Sequence, residues 1–451
     1  MPSGAHFLIL GAGVTGLAAG YVSGLPIYEQ SEYPGGICAS YYVRPGDHRR
    51  LREPPSDQEA YRFEIGGGHW IFGGDPLVLR FIRSLTPVKY YTRRSAVYFP
   101  DKDLLVPYPI QNHLRYLGPK VAAQVLDEIV EAHRNRHEII TMADWLRANF
   151  GPTLCELFFY PFHEHYTAGL FQEIAPQDAY KTPVDLSLVI RGALEEVPQV
   201  GYNATFLYPE TGLNMMVQKI AERCKIHYSK RVVHVDVSER IVYFEDGTAE
   251  RYEVIISTLP LNRMIAMAGL EQEIDEPPDP VTSVLVVNIG AKKGRHCPEE
   301  HWLYIPQSRS GFHRVGFYSN VDSTFLPTSA RDQRDQVSIY VEKAYREDAT
   351  LSRQEMNDVC LAIVKELQEW GWIEDVEVID PTWIDVAYTW SWPGSQWRTK
   401  ALRTLEAHGI YQVGRYGRWV FQGIADSVKE GLLSGACFKL SFRGNICSTH
   451  I

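Results

Sequence analysis

The chain has no CxxC pair and no paired metal-ligand spacing, although cysteines stand at 38, 155, 224, 297, 360, 437 and 447. That pattern argues against structural zinc and against a disulfide framework, and an odd number fits a reducing compartment. A basic excess is also missing. The formal net charge of −10 excludes a general nucleic-acid binder, which carries a basic face. No long uninterrupted apolar run occurs, so no transmembrane helix is expected. The stretch Phe7 to Leu25 lacks a basic flank and is broken by Gly11, Gly13, Gly16, Gly20 and Gly24, which excludes a signal peptide. A cytosolic protein is expected, and a homo-oligomer is left open.

What remains is ordinary globular material, 45% hydrophobic and 22% charged, long enough for two intertwined domains. His6 to Leu10 reads as a buried parallel strand, Val14 to Val22 as a helix and Leu25 to Glu29 as a second strand, a βαβ opening. Residues 44–60 are polar and proline-containing and read as an exposed loop or hairpin. Helical patterns run together from Pro76 to about Asn149, including Gly118 to Arg134 and Met142 to Phe150, and continue to Glu196. Strand character returns at Val232 to Val237, Ile241 to Phe244 and Val254 to Ser257, with Asp246-Gly247 as a hairpin turn. Val284 to Ile289 and Val337 to Tyr345 read as a second sheet. Ser352 to Trp370 reads as a helix capped by Ser352 and Glu355. Ile410 to Val413 is a strand, followed by a helix to about Leu433. The expected class is α/β, a FAD-binding Rossmann-like domain (1–75, 201–270 and 405–451) with a discontinuous α+β substrate or cap domain. The latter divides into a helical part (76–200) and a mixed sheet and helix part (271–404).

Gly11-Ala12-Gly13-Val14-Thr15-Gly16 is a GxGxxG loop between that first strand and helix. Gly11 permits the tight turn, Gly13 lets the backbone approach a pyrophosphate and Gly16 allows helix and strand to pack closely. The helix N-terminus offers unpaired N–H groups to the phosphates. Glu29, eighteen residues after Gly11, sits where a carboxylate accepts hydrogen bonds from a ribose.

Gly35 and Gly36 follow Glu29 by six and seven residues. This arrangement resembles the fingerprint of FAD-dependent oxidoreductases of the amine-oxidase superfamily, as do Lys230-Arg231-Val232, Ser257-Thr258-Leu259-Pro260 and Gly414-Arg415. Within that superfamily, Gly66-Gly67-Gly68-His69-Trp70, Val106-Pro107-Tyr108-Pro109-Ile110-Gln111-Asn112, Asn203-Ala204-Thr205-Phe206, Arg314 with Tyr318-Ser319-Asn320, and Gly414-Arg415-Tyr416-Gly417-Arg418-Trp419 resemble segments of UDP-galactopyranose mutases, the eukaryotic type by length.

The resemblance implies FAD, active in its reduced form with NADPH or NADH as reductant, whose flavin N5 attacks the anomeric carbon of a nucleotide sugar. Pyranose and furanose forms are thereby interconverted. It implies cofactor contacts from the glycines already named, Glu29, Gly67, Gly68, Val232, Gly414, Arg415, Trp419, Ile424 and Ser427. It places His69 beside the flavin and Arg314 on the diphosphate as catalytic residues. Tyr108, Gln111, His163, Asn203, Asn320, Tyr388 and Phe421 are its remaining substrate contacts.

Departures are visible too. Val321 and Phe421 stand where the family has tyrosines, and either Lys181 or Arg191 substitutes for a second diphosphate arginine. His163, Glu164 and His165 do not read as a metal site, because a His-x-His pair on a helix splays by about 200°. UDP-galactopyranose or a related sugar nucleotide is the expected substrate. An FAD-dependent amine oxidase or desaturase, or a non-catalytic flavoprotein with a decayed site, are the alternatives.

Overall fold

The computed structural model describes residues 6–134, 138–177, 185–198, 200–201, 203–333, 335–347 and 349–442. Strand Phe7–Leu10 is apolar throughout and nearly all buried, as a strand covered on both faces must be. It lies at the centre of a parallel sheet ordered Lys225–His227, Pro26–Tyr28, Phe7–Leu10, Val254–Ser257, Ile410–Gln412. The architecture is therefore α/β, with a parallel nucleotide-binding sheet drawn from distant parts of the chain. Helix Val14–Ser23 covers one face and packs on helix Ile424–Phe442 at backbone distance. A Cβ on Gly431 would stand 2.2 Å from the Thr15 carbonyl oxygen, and one on Gly435 would stand 2.3 Å from that of Ala19. The meander Val232–Asp236, Ile241–Phe244, Ala249–Arg251 turns at Asp246-Gly247, as the sequence predicts.

The second sheet has seven strands, ordered Ile373–Thr389, Val281–Lys293, Gln336–Arg346, Arg314–Phe317, Trp302–Tyr304, Ser95–Phe99, Leu104–Pro107. The predicted Val284 to Ile289 and Val337 to Tyr345 lie within Val281–Lys293 and Gln336–Arg346. The 17-residue strand Ile373–Thr389 lies at the edge, where Pro381 costs no internal ladder bond.

The expected run of helices from Pro76 to Asn149 needs correction. After helix Pro76–Leu85 come strands Val88–Thr92, Ser95–Phe99 and Leu104–Pro107. Ser95–Phe99 is buried at every position, so it lacks the period of two that marks a half-exposed strand. Helices Pro119–Arg134 and Met142–Leu154 do form, the second capped by a Thr141–Asp144 box. A π-helical turn, Cys155–Phe159, joins it to helix Tyr160–Tyr166. Helix Arg353–Glu369 carries the predicted Ser352 and Glu355 cap. The last helix runs to Phe442, beyond the expected Leu433. Among the described residues, no helix is long and apolar enough to cross a membrane.

Candidate active site

The glycine loop is built by close contacts that only hydrogen side chains allow. Gly11 has φ +95° and a Cβ there would meet Thr258 Oγ1 at 2.2 Å. A Cβ on Gly16 would lie 2.0 Å from the Gly11 carbonyl oxygen, so the third glycine seats the helix on the turn. Gly13 has open space before it and is the N-cap of helix Val14–Ser23 without any side-chain cap. The first-turn N–H groups are thus presented to an anion. Glu29 is buried and accepts from the Ala12 N–H at 2.7 Å and the Ser31 N–H at 2.8 Å. A carboxylate has about four acceptor positions, so lone pairs remain for a ribose diol. The Gly35 N–H donates to the Ala12 carbonyl at 2.8 Å and lays the diglycine against the loop. These residues fit a flavin dinucleotide.

The loop opens into a cleft of about 480 Å³, within the size range of cofactor and substrate pockets. Of the predicted cofactor residues, Gly11, Gly13, Glu29, Gly35, Gly36, Gly68, Gly414, Arg415, Ile424 and Ser427 line it. His69, Arg314, Tyr108, His163, Asn203, Tyr388 and Phe421 line it as well. Nine stretches of the sequence are thereby brought to one cavity.

Other predicted residues lie elsewhere. Gly16 and Gly67 are outside the cleft lining, and a Cβ on Gly67 would stand 2.7 Å from Glu342 Oε1. Val232 pairs with Phe244 in the meander. Trp419 is buried and donates its indole N–H to the Trp390 carbonyl at 3.0 Å. Gln111 is wholly buried in the turn Ile110–Asn112, outside the cleft lining. Asn320 donates to the carbonyls of Pro298 and Glu300, both at 2.8 Å, and serves the scaffold. Arg191 points outward and pairs with Glu195 at 2.7 Å, so it does not supply a second arginine. Lys181 lies outside the described residues. Val321 packs in the core, not in the cleft.

The sequence did not signal the carboxylate that dominates the cleft. Arg314 and Glu342 are direct cross-strand partners, and their side chains pair through Nε–Oε2 at 2.9 Å and Nη2–Oε1 at 2.6 Å. Glu342 is 2% exposed, and Arg314 keeps 24% exposure at the cleft edge. Burial opposes ionisation of Glu342, but the Arg314 guanidinium prevails and holds its carboxyl at about 2. His313, also missed, sits 3.4 Å from Glu342 through Nε2.

Arg93 was likewise unpredicted. It is buried, donates to the Asn203 side-chain oxygen, and donates to the carbonyls of Tyr108 and Val200 at 3.1 Å. One guanidinium thus fixes two predicted substrate residues. Tyr108 stacks obliquely on Tyr304, with ring centroids 4.5 Å apart.

His69 is enclosed by the triple glycine, and burial, reinforced by Arg415, lowers it to about 4. It is therefore neutral at pH 7. Burial also lowers His163 to about 4. Its Nδ1–H donates to the Phe159 carbonyl at 2.7 Å, so Nε2 carries the lone pair. His163 lines the cleft while His165 does not. Among the described residues, no group of three His, Cys, Asp or Glu side chains is placed to hold a metal ion. Burial raises Tyr388 to about 12, so its phenol keeps its proton.

Two cationic side chains line the cleft among the described residues, Arg314 and Arg415. Arg415 donates to the carbonyls of Gln422 and Ala387 at 3.3 and 3.2 Å and lies 4.7 Å from the centroid of the Phe421 ring. Phe158, Phe159, Phe162, Tyr166 and Trp390 give the cleft an aromatic wall.

The same fold occurs in proteins of known structure. A reduced UDP-galactopyranose mutase superposes with a TM-score of 0.82 at 21% identity, over 97% of each chain. A fatty acid isomerase from P. acnes gives 0.56 at 14%, covering 96% of this chain and 98% of that one. A putrescine oxidase bound to putrescine gives 0.54 at 16%, again over 96% and 98%. At these identities the likeness carries the fold. A model of flavin-containing amine oxidoreductases matches the sequence itself over residues 22–434. With that span matched and a dinucleotide cradle opening into a substrate-sized cleft, the chain belongs to the flavin-containing amine oxidoreductase family.

Proposed function

We propose that this chain is an FAD-dependent mutase that interconverts pyranose and furanose forms of a nucleotide sugar, UDP-galactopyranose or a relative. The observation that carries the reading is the convergence of His69, Tyr108, His163, Asn203, Arg314 and Tyr388 on the cleft into which the glycine loop opens. Reduced FAD supplies a nucleophilic nitrogen, with NADPH or NADH as its source of electrons. The chain's own residues do the rest. Arg314 holds the diphosphate by charge-assisted bonds from its exposed edge. Asn203 and Tyr108, tied by Arg93, orient the sugar nucleotide, and the protonated Tyr388 phenol donates to oxygen. Neutral His69 adds no positive charge beside the flavin. The aromatic wall excludes water, which strengthens each of these interactions. A cytosolic place of action belongs to the same proposal.

Turnover of UDP-galactopyranose and related sugar nucleotides by dithionite-reduced enzyme tests it. The reduced enzyme is expected to interconvert ring forms and the oxidised enzyme to be inactive. Equal turnover in both states removes the flavin nucleophile.

One observation favours a second reading. Both cleft cations are already engaged and one wall is aromatic, which suits a neutral or amine substrate of an oxidase. Hydrogen peroxide release with amines, and no binding of sugar nucleotides, supports that reading.

A further inference from the structure

A nucleoside diphosphate brings at least two negative charges to a cleft already shared with the pyrophosphate of the dinucleotide. The cationic side chains there are few and committed: Arg314 faces Glu342, and Arg415 faces two main-chain carbonyls. Buried charge has to be matched, or affinity is lost. Another source of positive charge is therefore required in the cleft.

His313 has the placement to supply it. It lines the cleft and is 1% exposed; Nε2 faces only Glu342, and Nδ1 has no hydrogen-bond partner among the described residues. Its backbone is pinned in the sheet by bonds to Glu342 and Ile305, at 3.0 and 2.9 Å. A buried Nδ1 on a pinned ring, left without a bond, calls for a partner from outside the chain. Glu342 Oε2, 3.4 Å from Nε2, stands ready to balance an imidazolium. His163 has no such carboxylate beside it.

We propose that an anionic nucleotide takes up one proton from solvent as it binds, and that His313 holds that proton. This rests on the nucleotide-sugar reading. A phosphate oxygen of a diphosphate diester has no proton to donate at neutral pH, so an imidazole nitrogen bonds it only as N–H, and a neutral ring whose single N–H faces Glu342 must first take up a proton. The tautomer with Nε2–H toward Glu342 leaves Nδ1 to receive the proton.

The charged and titratable surroundings set the balance. Glu342 faces His313 from strand Gln336–Arg346, and Arg314 adjoins it on its own strand. From helix Tyr160–Tyr166 come His163, His165 and the Tyr166 ring, the last at 5.2 Å. Tyr388 approaches from the edge strand at 6.5 Å. Lys343 and Glu366 lie beyond, within electrostatic reach of His165. Burial keeps His313 below its usual range, with Glu342 opposing and Arg314 adding to the effect. One negative charge at about 4 Å, at an effective dielectric of about 20, raises proton affinity roughly a thousandfold.

The test uses UDP-glucose, whose diphosphate diester does not titrate near neutrality, with the oxidised holoenzyme. Titration calorimetry at pH 7.5 in phosphate and in Tris is expected to give heats that differ by the ionisation enthalpy of about one proton. Its Kd is expected to weaken toward tenfold per pH unit at alkaline pH. In His313→Asn the buffer difference disappears while weakened binding persists. The wild-type pH profile stands by itself should the variant fail to fold. Buffer-independent heats or a flat Kd profile with UDP-glucose bound overturn the proton uptake and leave the nucleotide reading intact. An undiminished buffer difference in His313→Asn overturns the assignment to this residue. Failure of UDP-glucose and UDP-galactose alike to bind removes the nucleotide reading and the inference with it.

Discussion

Replacing Glu342 by Gln keeps the shape of the side chain and removes one buried charge. Two arguments give the cost. Its carboxyl is depressed from 4.5 to about 2 in the folded chain. At about 1.4 kcal/mol per pK unit, the ionised form contributes about 3 kcal/mol. Independently, breaking a buried ion pair by deleting one partner costs about 3–5 kcal/mol, because the other charge is left uncompensated. A folded value below the unfolded one means that this stability is fully present above about 4.5 and is lost as pH falls through about 2. Urea unfolding of Glu342→Gln is therefore expected to show a deficit of about 3 kcal/mol or more at pH 7. That deficit shrinks by roughly 2 kcal/mol at pH 3. Adding Arg314→Met is expected to recover part of the loss, since the double variant buries no unpaired charge. A Glu342→Gln protein as stable as the parent at pH 7, or a gap that does not change with pH, refutes the reasoning.

Gly16→Ala pushes a methyl group to 2.0 Å from the Gly11 carbonyl oxygen, so the loop must shift, at a cost of about 1–3 kcal/mol; the ratio of flavin to protein absorbance after gel filtration is expected to fall sharply. Glu64 is buried, and its carboxyl is pushed up to about 7, which makes the parent lose stability as pH rises from about 4.5 through 7; Glu64→Gln is expected to gain about 3 kcal/mol relative to it between pH 4.5 and 8, read by urea unfolding. Asn320→Ala removes two bonds to main-chain carbonyls and should cost about 1–3 kcal/mol, while leaving the KM for a sugar nucleotide unchanged.

The parallel sheet and its glycine loop were legible because their constraints are local. A tight turn, a helix start and a following carboxylate occupy fixed spacings, and Gly11, Gly16 and Glu29 stand in the contacts those spacings predict. Strand Ser95–Phe99 was not legible, since burial on both faces erases alternation. Motif likeness brought Tyr108, Asn203 and Arg314 to the cleft, but a motif does not say which way a side chain turns. Gln111 follows Tyr108 by three residues and turns into the interior, and Asn320 turns toward the segment at 298–300. Glu342 and His313 acquire meaning only through register, when two strands distant in sequence lie side by side. Nothing local distinguishes such residues from solvated ones.

The backbone-close crossing of helices Val14–Ser23 and Ile424–Phe442 has a temporal consequence. The loop that grips the dinucleotide is made about four hundred residues before the edge strand Ile410–Gln412 of its sheet and the helix that braces it. At ordinary elongation rates that interval is roughly 20–80 s. Until then the cradle lacks its outer wall, and Gly414 and Arg415 are not yet beside it. Cofactor capture thus waits for that helix, and until then the sheet carries an open, apolar edge.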